Sequence, residues 1–251
     1  MKGSIVYFSG TGNTEFVARL FKDKFKENEV EIKNINIIKK KNITDDYDFL
    51  ILAAPVYVDL FPRYFIDYLV NKLPEGNNRS AIIISTPGGN SSVAIREVRE
   101  ILQGKSYKVA IEAEVLMPNN FFLAKGFKKP TKEEVNLKKE GAKDHVDRIV
   151  NGFLNNVNTL VDCSKVREIA ARPIHNIFTK KYKTWAKKNL TVDMDKCVMC
   201  SKCSKNCPTK NITVADEFIF REDCIGCLKC VHTCPVNAFL YKGHKIDQYR
   251  L

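Results

Sequence analysis

The chain has 251 residues and a formal charge of +12, from 41 Lys and Arg against 29 Asp and Glu. Its hydrophobic share of 44% and charged share of 28% exclude a disordered or fibrous chain. The longest apolar stretch, Phe49 to Val58, is broken by Pro55 and too short to span a bilayer, and no charged-then-apolar leader precedes the first strand.

Ser4-Ile5-Val6-Tyr7-Phe8 reads as a first strand that runs into Ser9-Gly10-Thr11-Gly12-Asn13-Thr14. Phe16, Val17, Leu20, Phe21 and Phe25 follow at helical spacing. A strand, a turn of glycines and hydroxyls, and a helix start make an anion cradle, because backbone N–H groups and hydroxyls can wrap a phosphate. The turn lacks both Gly-Lys-Ser/Thr and Gly-x-Gly-x-x-Gly, so neither a nucleoside-triphosphate loop nor a dinucleotide fingerprint fits. The hydroxyls of Ser9, Thr11 and Thr14 suit a terminal monophosphate. This turn resembles the FMN phosphate loop of flavodoxins, which implies that Ser9, Thr11, Gly12, Asn13 and Thr14 hold the phosphate.

A second strand is expected over Val30 to Ile35. Phe49-Leu50-Ile51-Leu52-Ala53-Ala54 reads as a fully buried parallel strand ending at Pro55-Val56-Tyr57. Ala81-Ile82-Ile83-Ile84-Ser85 is another, ending at Thr86-Pro87-Gly88-Gly89-Asn90. Lys108 to Val115 is the fifth, followed by Met117-Pro118-Asn119-Asn120-Phe121, and Thr131-x-x-Glu134 is a capping box opening a last helix to about Leu154. Alternating strands and helices predict an α/β fold with a doubly wound parallel sheet of order 2-1-3-4-5, whose ligand lies at the carboxyl ends of strands one, three and four. The flavodoxin resemblance covers residues 1–158 and implies that Pro55, Val56, Tyr57, Thr86, Pro87, Gly88 and Gly89 flank an isoalloxazine. Tyr57 is the candidate for stacking on it.

Residues 159–189 form a basic amphipathic helical linker. Val166, Ile169, Ala170, Ile174, Ile177, Phe178, Tyr182 and Trp185 recur at helical spacing, and the stripe is expected to pack against both lobes. Lying on an anionic membrane surface is the other reading of such a helix. Pro173 is expected to kink it or begin a second helix. Trp185 is a candidate lining for a route between centres.

In residues 190–251, Cys197, Cys200, Cys203 and Cys207 precede Pro208, and Cys224, Cys227, Cys230 and Cys234 repeat the spacing before Pro235. Three thiolates on one tight loop match three corners of an iron–sulfur cube, and the remote cysteine before proline serves the other cube. Cys197, Cys200, Cys203 and Cys234 are therefore expected to hold one 4Fe–4S cluster, and Cys224, Cys227, Cys230 and Cys207 the other. Zinc knuckles leave no role for a third cysteine at this spacing, and disulfides suit small secreted domains. Cys163 falls outside the pattern as a small apolar or surface residue. Thr191-Val192 and Phe218-Ile219-Phe220 precede the two groups, and Asn211-Ile212 is matched to Asn237-Ala238. The segment resembles bacterial two-cluster ferredoxins, in a small α+β lobe.

The whole chain resembles the flavodoxin–ferredoxin fusion proteins of anaerobic bacteria and archaea. The resemblance implies an electron-transfer iron–sulfur flavoprotein that relays low-potential electrons between two 4Fe–4S clusters and FMN. An FMN-dependent reductase of a quinone or another small organic acceptor, with its pocket near Met117 to Phe122, is the alternative. A nucleic-acid binder stapled by clusters is the third, but no RNP, zinc-finger or helix-turn-helix pattern supports it. No catalytic acid–base pair is marked, and the histidines at 145, 175, 232 and 244 show no pairing. The basic runs Lys125 to Lys143 and Lys165 to Lys188 read as solvated faces or as a dock for an acidic redox partner. Lys196, Lys202, Lys205 and Lys229 are expected to favour reduced clusters. Thiolate ligands imply a reducing cytoplasm, while donor, acceptor and oligomeric state stay open.

Overall fold

The computed structural model describes residues 1–39, 43, 45–89, 93–123, 127–162, 164–215 and 217–251. Five apolar runs form the strands β1 (Lys2–Tyr7), β2 (Glu31–Asn36), β3 (Phe49–Pro55), β4 (Ser80–Thr86) and β5 (Lys108–Glu114). They pair in parallel in the order β2-β1-β3-β4-β5. Tyr7 lies opposite Ala53 and Pro55 opposite Thr86, so the carboxyl ends of β1, β3 and β4 emerge on one rim.

The sheet is covered on both faces, which is why its inner strands are apolar throughout rather than alternating. On one face, α1 (Asn13–Glu27) and α4 (Lys132–Leu154) bury Val17, Phe21, Phe25, Val146 and Ile149 against Ile5, Ile51 and Ile82. On the other, α2 (Arg63–Lys72) and α3 (Ala94–Gly104) bury Phe65, Leu69, Ile95 and Val98 against Val6, Phe8, Leu50 and Ile83. The capping box at the start of α4 is formed: the Glu134 N–H donates to the Thr131 hydroxyl at 3.2 Å, and the Thr131 N–H donates to the Glu134 carboxylate at 2.7 Å.

The open edge of β5 is protected by the chain that follows α4. The Glu112 N–H donates to the Thr159 carbonyl at 2.7 Å, and the Thr159 N–H donates to the Ala110 carbonyl at 3.0 Å. The buried Glu112 carboxylate accepts hydrogen bonds from Arg99 and, at 2.9 Å, from the Val161 N–H. An edge strand that would otherwise offer unpaired backbone is thus closed.

The linker helix α5 (Lys165–Lys183) departs from the expected pattern in its apolar stripe. It runs through Pro173 without ending, and α6 (Trp185–Asn189) begins only after Thr184. Only the C-terminal end of its apolar stripe packs as expected, with Tyr182 against Gly226 and Trp185 on the core of the cluster lobe. Val166, Ile169, Ala170, Ile174 and Ile177 are exposed, whereas Glu168, Ala171, His175 and Tyr182 are buried. The cause lies in the surface that α5 covers. Glu168 meets Arg96 at 3.0 Å and also pairs with Arg172, while His175 Nδ1 is 2.7 Å from the Tyr57 carbonyl. These polar pairings hold Glu168 and His175 against the domain and leave the apolar residues between Val166 and Ile177 outward.

The C-terminal lobe contains β6 (Leu190–Val192), α7 (Lys202–Lys205), β7 (Ile212–Val214), β8 (Phe218–Phe220), α8 (Lys229–His232), β9 (Phe239–Tyr241) and β10 (His244–Lys245). β6 and β10 flank β9, and β7 pairs with β8, all antiparallel. Its two halves repeat at an offset of 27 residues, as Cys197 and Cys224 do. Met199 and Gly226, Ser201 and Leu228, and Lys210 and Asn237 take the left-handed conformation in matching places. Asn211 therefore corresponds to Ala238, and Ile212 to Phe239, one residue away from the match read in the sequence. Backbone conformation sets that register, whereas the two asparagines coincide only in identity.

Candidate functional site

The eight cysteines of the doubled pattern carry no disulfide. They divide between two cavities in the expected combination. One is lined by Cys207, Cys224, Cys227 and Cys230 with Trp185, Ile225 and Leu228 among its walls. The other is lined by Cys197, Cys200, Cys203 and Cys234 with Val198, Phe218 and Phe239. Each cavity takes three thiols from one loop and the fourth from the other half. Among the described residues no group of three or more His, Cys, Asp or Glu is arranged for a single metal ion. Four thiols around an apolar chamber instead offer one ligand to each corner of a cube.

The electrostatics of the first chamber favour iron-bound thiolates over free ones. Burial pushes the Cys227 thiol up to about 12, with neighbouring Cys224 and Cys207 adding to the rise. Burial raises Cys230 and Cys224 as well, and burial raises Cys203 in the second chamber. Desolvated thiolates that repel one another need a positive centre, which iron supplies. Backbone N–H groups also point at sulfur. Asn211 donates to Cys207 at 3.2 Å and Ala238 to Cys234 at 3.3 Å, matching bonds in the two halves, and Gly226 donates to Cys224 at 3.3 Å. Such bonds raise a cluster's reduction potential.

The rim of the sheet gathers the other predicted residues. Gly12 takes a φ of +113°, open to glycine and strained for other residues, and its N–H donates to the Ser9 hydroxyl at 3.2 Å. α1 starts at Asn13, so the first-turn amides lack intrahelical partners and face the turn. The Thr14 and Thr86 hydroxyls are 2.7 Å apart, joining the first loop to the third, and Asn120 donates to the Thr11 hydroxyl. Asn13 is buried and donates to the Pro118 carbonyl at 2.8 Å. Helix-start amides beside Ser9, Thr11 and Thr14 fit a phosphate monoester. Pro87 and Gly88 meet the fourth rim segment through the Met117 N–H, 2.9 Å from the Pro87 carbonyl, and the contact of Gly88 with Asn119. Gly89 faces open space. Asn90, Lys125 and Cys163 lie outside the described residues.

Pro55 and Val56 lead into a tight turn at Tyr57, whose N–H donates to the Leu60 carbonyl at 2.7 Å. Val58 and Asp59 both take positive φ, 50° and 63°, and the former is β-branched. Strain of this kind persists where surroundings fix it. α5 provides the fixing, through His175 on the Tyr57 carbonyl and Arg167 on Asp59 at 3.0 Å. The Tyr57 ring packs edge-on against Phe8 rather than on Phe61.

The two regions are in contact. A Cβ placed on Gly10 would stand 2.8 Å from the Cys227 carbonyl oxygen, 3.2 Å from Cys227 Cβ and 3.4 Å from the Tyr57 hydroxyl. Lys229 donates to the carbonyls of Gly10 at 3.2 Å and Ser9 at 3.5 Å. Tyr249 reaches back to donate to Asn13 at 2.7 Å, and its N–H donates to His232 Nδ1 at 3.1 Å. That bond leaves Nε2 as the proton-bearing nitrogen, 3.3 Å from the Asn120 carbonyl. Burial drives the His232 pKa down to about 4. Gln248 donates to the carbonyls of Val231 and Cys234, and Leu251 packs against the sheet core. Trp185 lies between Tyr182 and Tyr241, at ring-centre distances of 5.7 and 5.9 Å.

Sequence reasoning did not find Lys229 in this bridging role, nor Tyr249, Gln248 and His232. The contacts of Lys229, His232 and Tyr249 with the sheet rim join segments some 110 to 240 residues apart, those of Gln248 lie within its own lobe, and no local motif signals any of them.

The family model described as a 4Fe-4S dicluster domain matches residues 189–235. No curated protein matches the chain. Solved structures similar to it include oxidised flavodoxin 1 from Bacillus cereus, at 24% identity over 57% of this chain and 96% of that one, with a TM-score of 0.41. Oxidised flavodoxin 2 from Bacillus cereus is 16% identical over 60% and 99%, with a TM-score of 0.43. Fusobacterium nucleatum flavodoxin bound to flavin mononucleotide is 15% identical over 60% and 97%, at 0.40. The strand order and crossovers themselves are those of the flavodoxin-like fold. The chain thus joins a flavodoxin-like sheet to a 4Fe–4S dicluster domain. Among the described residues no helix is long and apolar enough to cross a membrane.

Proposed function

We propose that this chain is an electron carrier whose cluster lobe exchanges electrons with an FMN held on the rim of the sheet. Ser9, Thr11, Gly12, Asn13 and Thr14 hold the phosphate, and Pro55–Tyr57 and Thr86–Gly89 flank the ring system. Bound flavin exchanges one or two electrons and each cluster one, so the combination converts between those modes.

The observation that carries this reading is the packing of Gly10 on Cys227. One ligand loop of the Cys207/Cys224/Cys227/Cys230 chamber rests directly on the phosphate turn. The other chamber lies further out, where Cys200, Val198 and Met199 are exposed. That order makes the Cys197/Cys200/Cys203/Cys234 cluster the port to solution and the buried one the inner station. Covalent fusion keeps donor beside acceptor at a high effective concentration. The lysine beside the inner chamber, Lys229, places positive charge between cluster and cradle, which favours electron residence there.

Anaerobic purification with iron, sulfide and flavin quantified tests the proposal. About eight iron atoms and one FMN per chain are expected. Iron without any flavin uptake, even with FMN supplied in excess, would leave a two-cluster ferredoxin and overturn the flavin half. Flavin without iron would overturn the cluster half.

A further inference from the structure

α5 is inside out. Its buried side carries Glu168 and His175, each 3% exposed, while Val166 is 78%, Ile169 58%, Ile174 59% and Ile177 68% exposed. At 100° per residue Val166, Ala170, Pro173 and Ile177 fall along one line, with Ile169 and Ile174 on either side. They form a continuous apolar stripe roughly 17 Å long at 1.5 Å per residue. Contiguous apolar surface of this kind on a water-exposed helix marks a binding face.

Charge identifies the occupant. Between residues 164 and 189 the chain has a single carboxylate, Glu168, and it is buried and paired. Lys165, Lys180, Lys181 and Lys183 border the stripe and form no ion pair among the described residues. A second copy of this chain would bring another +12 and the same lysines against them. The four exposed side chains offer roughly 300 Å² of apolar area, from the per-residue burial that transfer energies imply. A standard protein interface needs about 800 Å² on each side. A short apolar stripe edged by ammonium groups instead suits shallow burial at a lipid headgroup boundary, where anionic phosphates face the lysines.

We propose that the outer face of α5 docks this protein on an anionic phospholipid bilayer, without crossing it. Val166, Ile169, Ile174 and Ile177 enter the acyl boundary, and the flanking lysines meet the headgroups. The same helix grips the Tyr57 turn on its inner side, so docking sets the rim of the sheet at a fixed orientation above the membrane. The inference does not depend on flavin.

Vesicle flotation of the cluster-loaded full chain tests it, with pure phosphatidylcholine against an equal mixture of phosphatidylcholine and phosphatidylglycerol. Binding is expected only to the anionic vesicles, and added salt should weaken it. Ile169→Asp with Ile177→Asp should abolish binding, and Lys180→Gln with Lys181→Gln should reduce it by about 30-fold at the free energy typical of a lysine near such a surface. Leu137→Asp removes an equally exposed apolar residue from α4 and should bind as the parent does. All these side chains are solvent-facing, so iron content and circular dichroism should match the parent in each variant. Failure of the parent chain to float with anionic vesicles overturns the proposal, as does equal binding to both vesicle types. Undiminished binding by the Ile169/Ile177 variant also overturns it. So does a dimer in sedimentation velocity that this variant dissociates, since the face would then belong to a second copy.

Discussion

Replacing Gly10 by alanine inserts one methyl group between the phosphate turn and the inner cluster loop. Gly10 does not take a positive φ, so the backbone accepts alanine and the effect is steric alone. The new carbon would sit 2.8 Å from the Cys227 carbonyl oxygen and 3.2 Å from Cys227 Cβ. Both partners are covalently tied to a cluster-ligand loop, so neither can swing aside as a flexible side-chain end would. Ordinary contact begins near 3.4 Å, so the lobes must part by about 0.6 Å or the turn must tilt. Overpacking of this kind costs about 1–3 kcal/mol. A lobe-docking equilibrium shifted by that amount changes by roughly 5- to 150-fold. The cradle itself keeps its amides and hydroxyls, because the methyl points toward Cys227 and the Tyr57 hydroxyl. FMN affinity should therefore change much less than docking. Anaerobic stopped-flow reduction, followed at separate flavin and cluster wavelengths, should show slowed exchange between the centres. Hydrogen exchange should show lost protection at 226–232 and 246–251. Parent-like exchange rates and protection in Gly10→Ala would refute the direct packing of the two regions.

Three further outcomes follow from other contacts. Gly226→Ala adds a methyl that overlaps the Tyr182 ring at a φ of +68°, so the inner chamber should fail to assemble and iron should fall to about four atoms per chain. Glu112→Ala removes the buried carboxylate shared by Arg99 and the Val161 N–H, a change worth about 3–5 kcal/mol for a buried pair. Thermal melting followed by far-ultraviolet dichroism should then drop by roughly 6–20 °C, and a drop under 2 °C would count against that pairing. Removing iron with a chelator should unfold the lobe from β6 to β10 while leaving β1 to β5 protected, because the small lobe draws its folding energy from metal. Hydrogen exchange resolved by segment reads that difference directly.

The parallel sheet was legible because each strand is a short unbroken apolar run punctuated by glycine, proline or a hydroxyl turn. Phe49–Ala54 and Ala81–Ser85 admit few other readings, and the capping box at Thr131 and Glu134 marks the start of α4 directly. The cysteine partition was legible for a similar reason, since a fixed spacing encodes loop geometry. The register between the two halves was not. Asn211 and Asn237 share a name, but a left-handed residue at Lys210 and Asn237 sets the true correspondence. Sequence similarity pairs side chains, whereas the fold pairs backbone conformations.

The error over α5 has a different physical origin. A hydrophobic stripe identifies which side of a helix avoids water only when burial on the rest of the chain is the strongest available interaction. Here the surface beneath α5 offers Arg96, Glu97 and the Tyr57 carbonyl, and these draw Glu168, Arg172 and His175 toward it. Glu168 and His175 carry no local mark of burial, because an i,i+4 pair such as Glu168 with Arg172 also occurs on solvated helix faces, and the contacts that bury them, Arg96 and the Tyr57 carbonyl, lie 72 and 118 positions away. The stripe that sequence periodicity picked out divides: Phe178, Tyr182 and Trp185 pack within the chain, and the exposed part from Val166 to Ile177 has its partner outside it. The inward polar contacts fix the strained Val58–Asp59 turn at the rim, and the outward apolar contacts remain for a surface. One helix therefore joins the geometry of the cofactor rim to whatever α5 rests on. Loosening it from within, by His175→Ala, should relax that turn and alter FMN affinity without changing vesicle binding. Blunting its outer face should do the reverse.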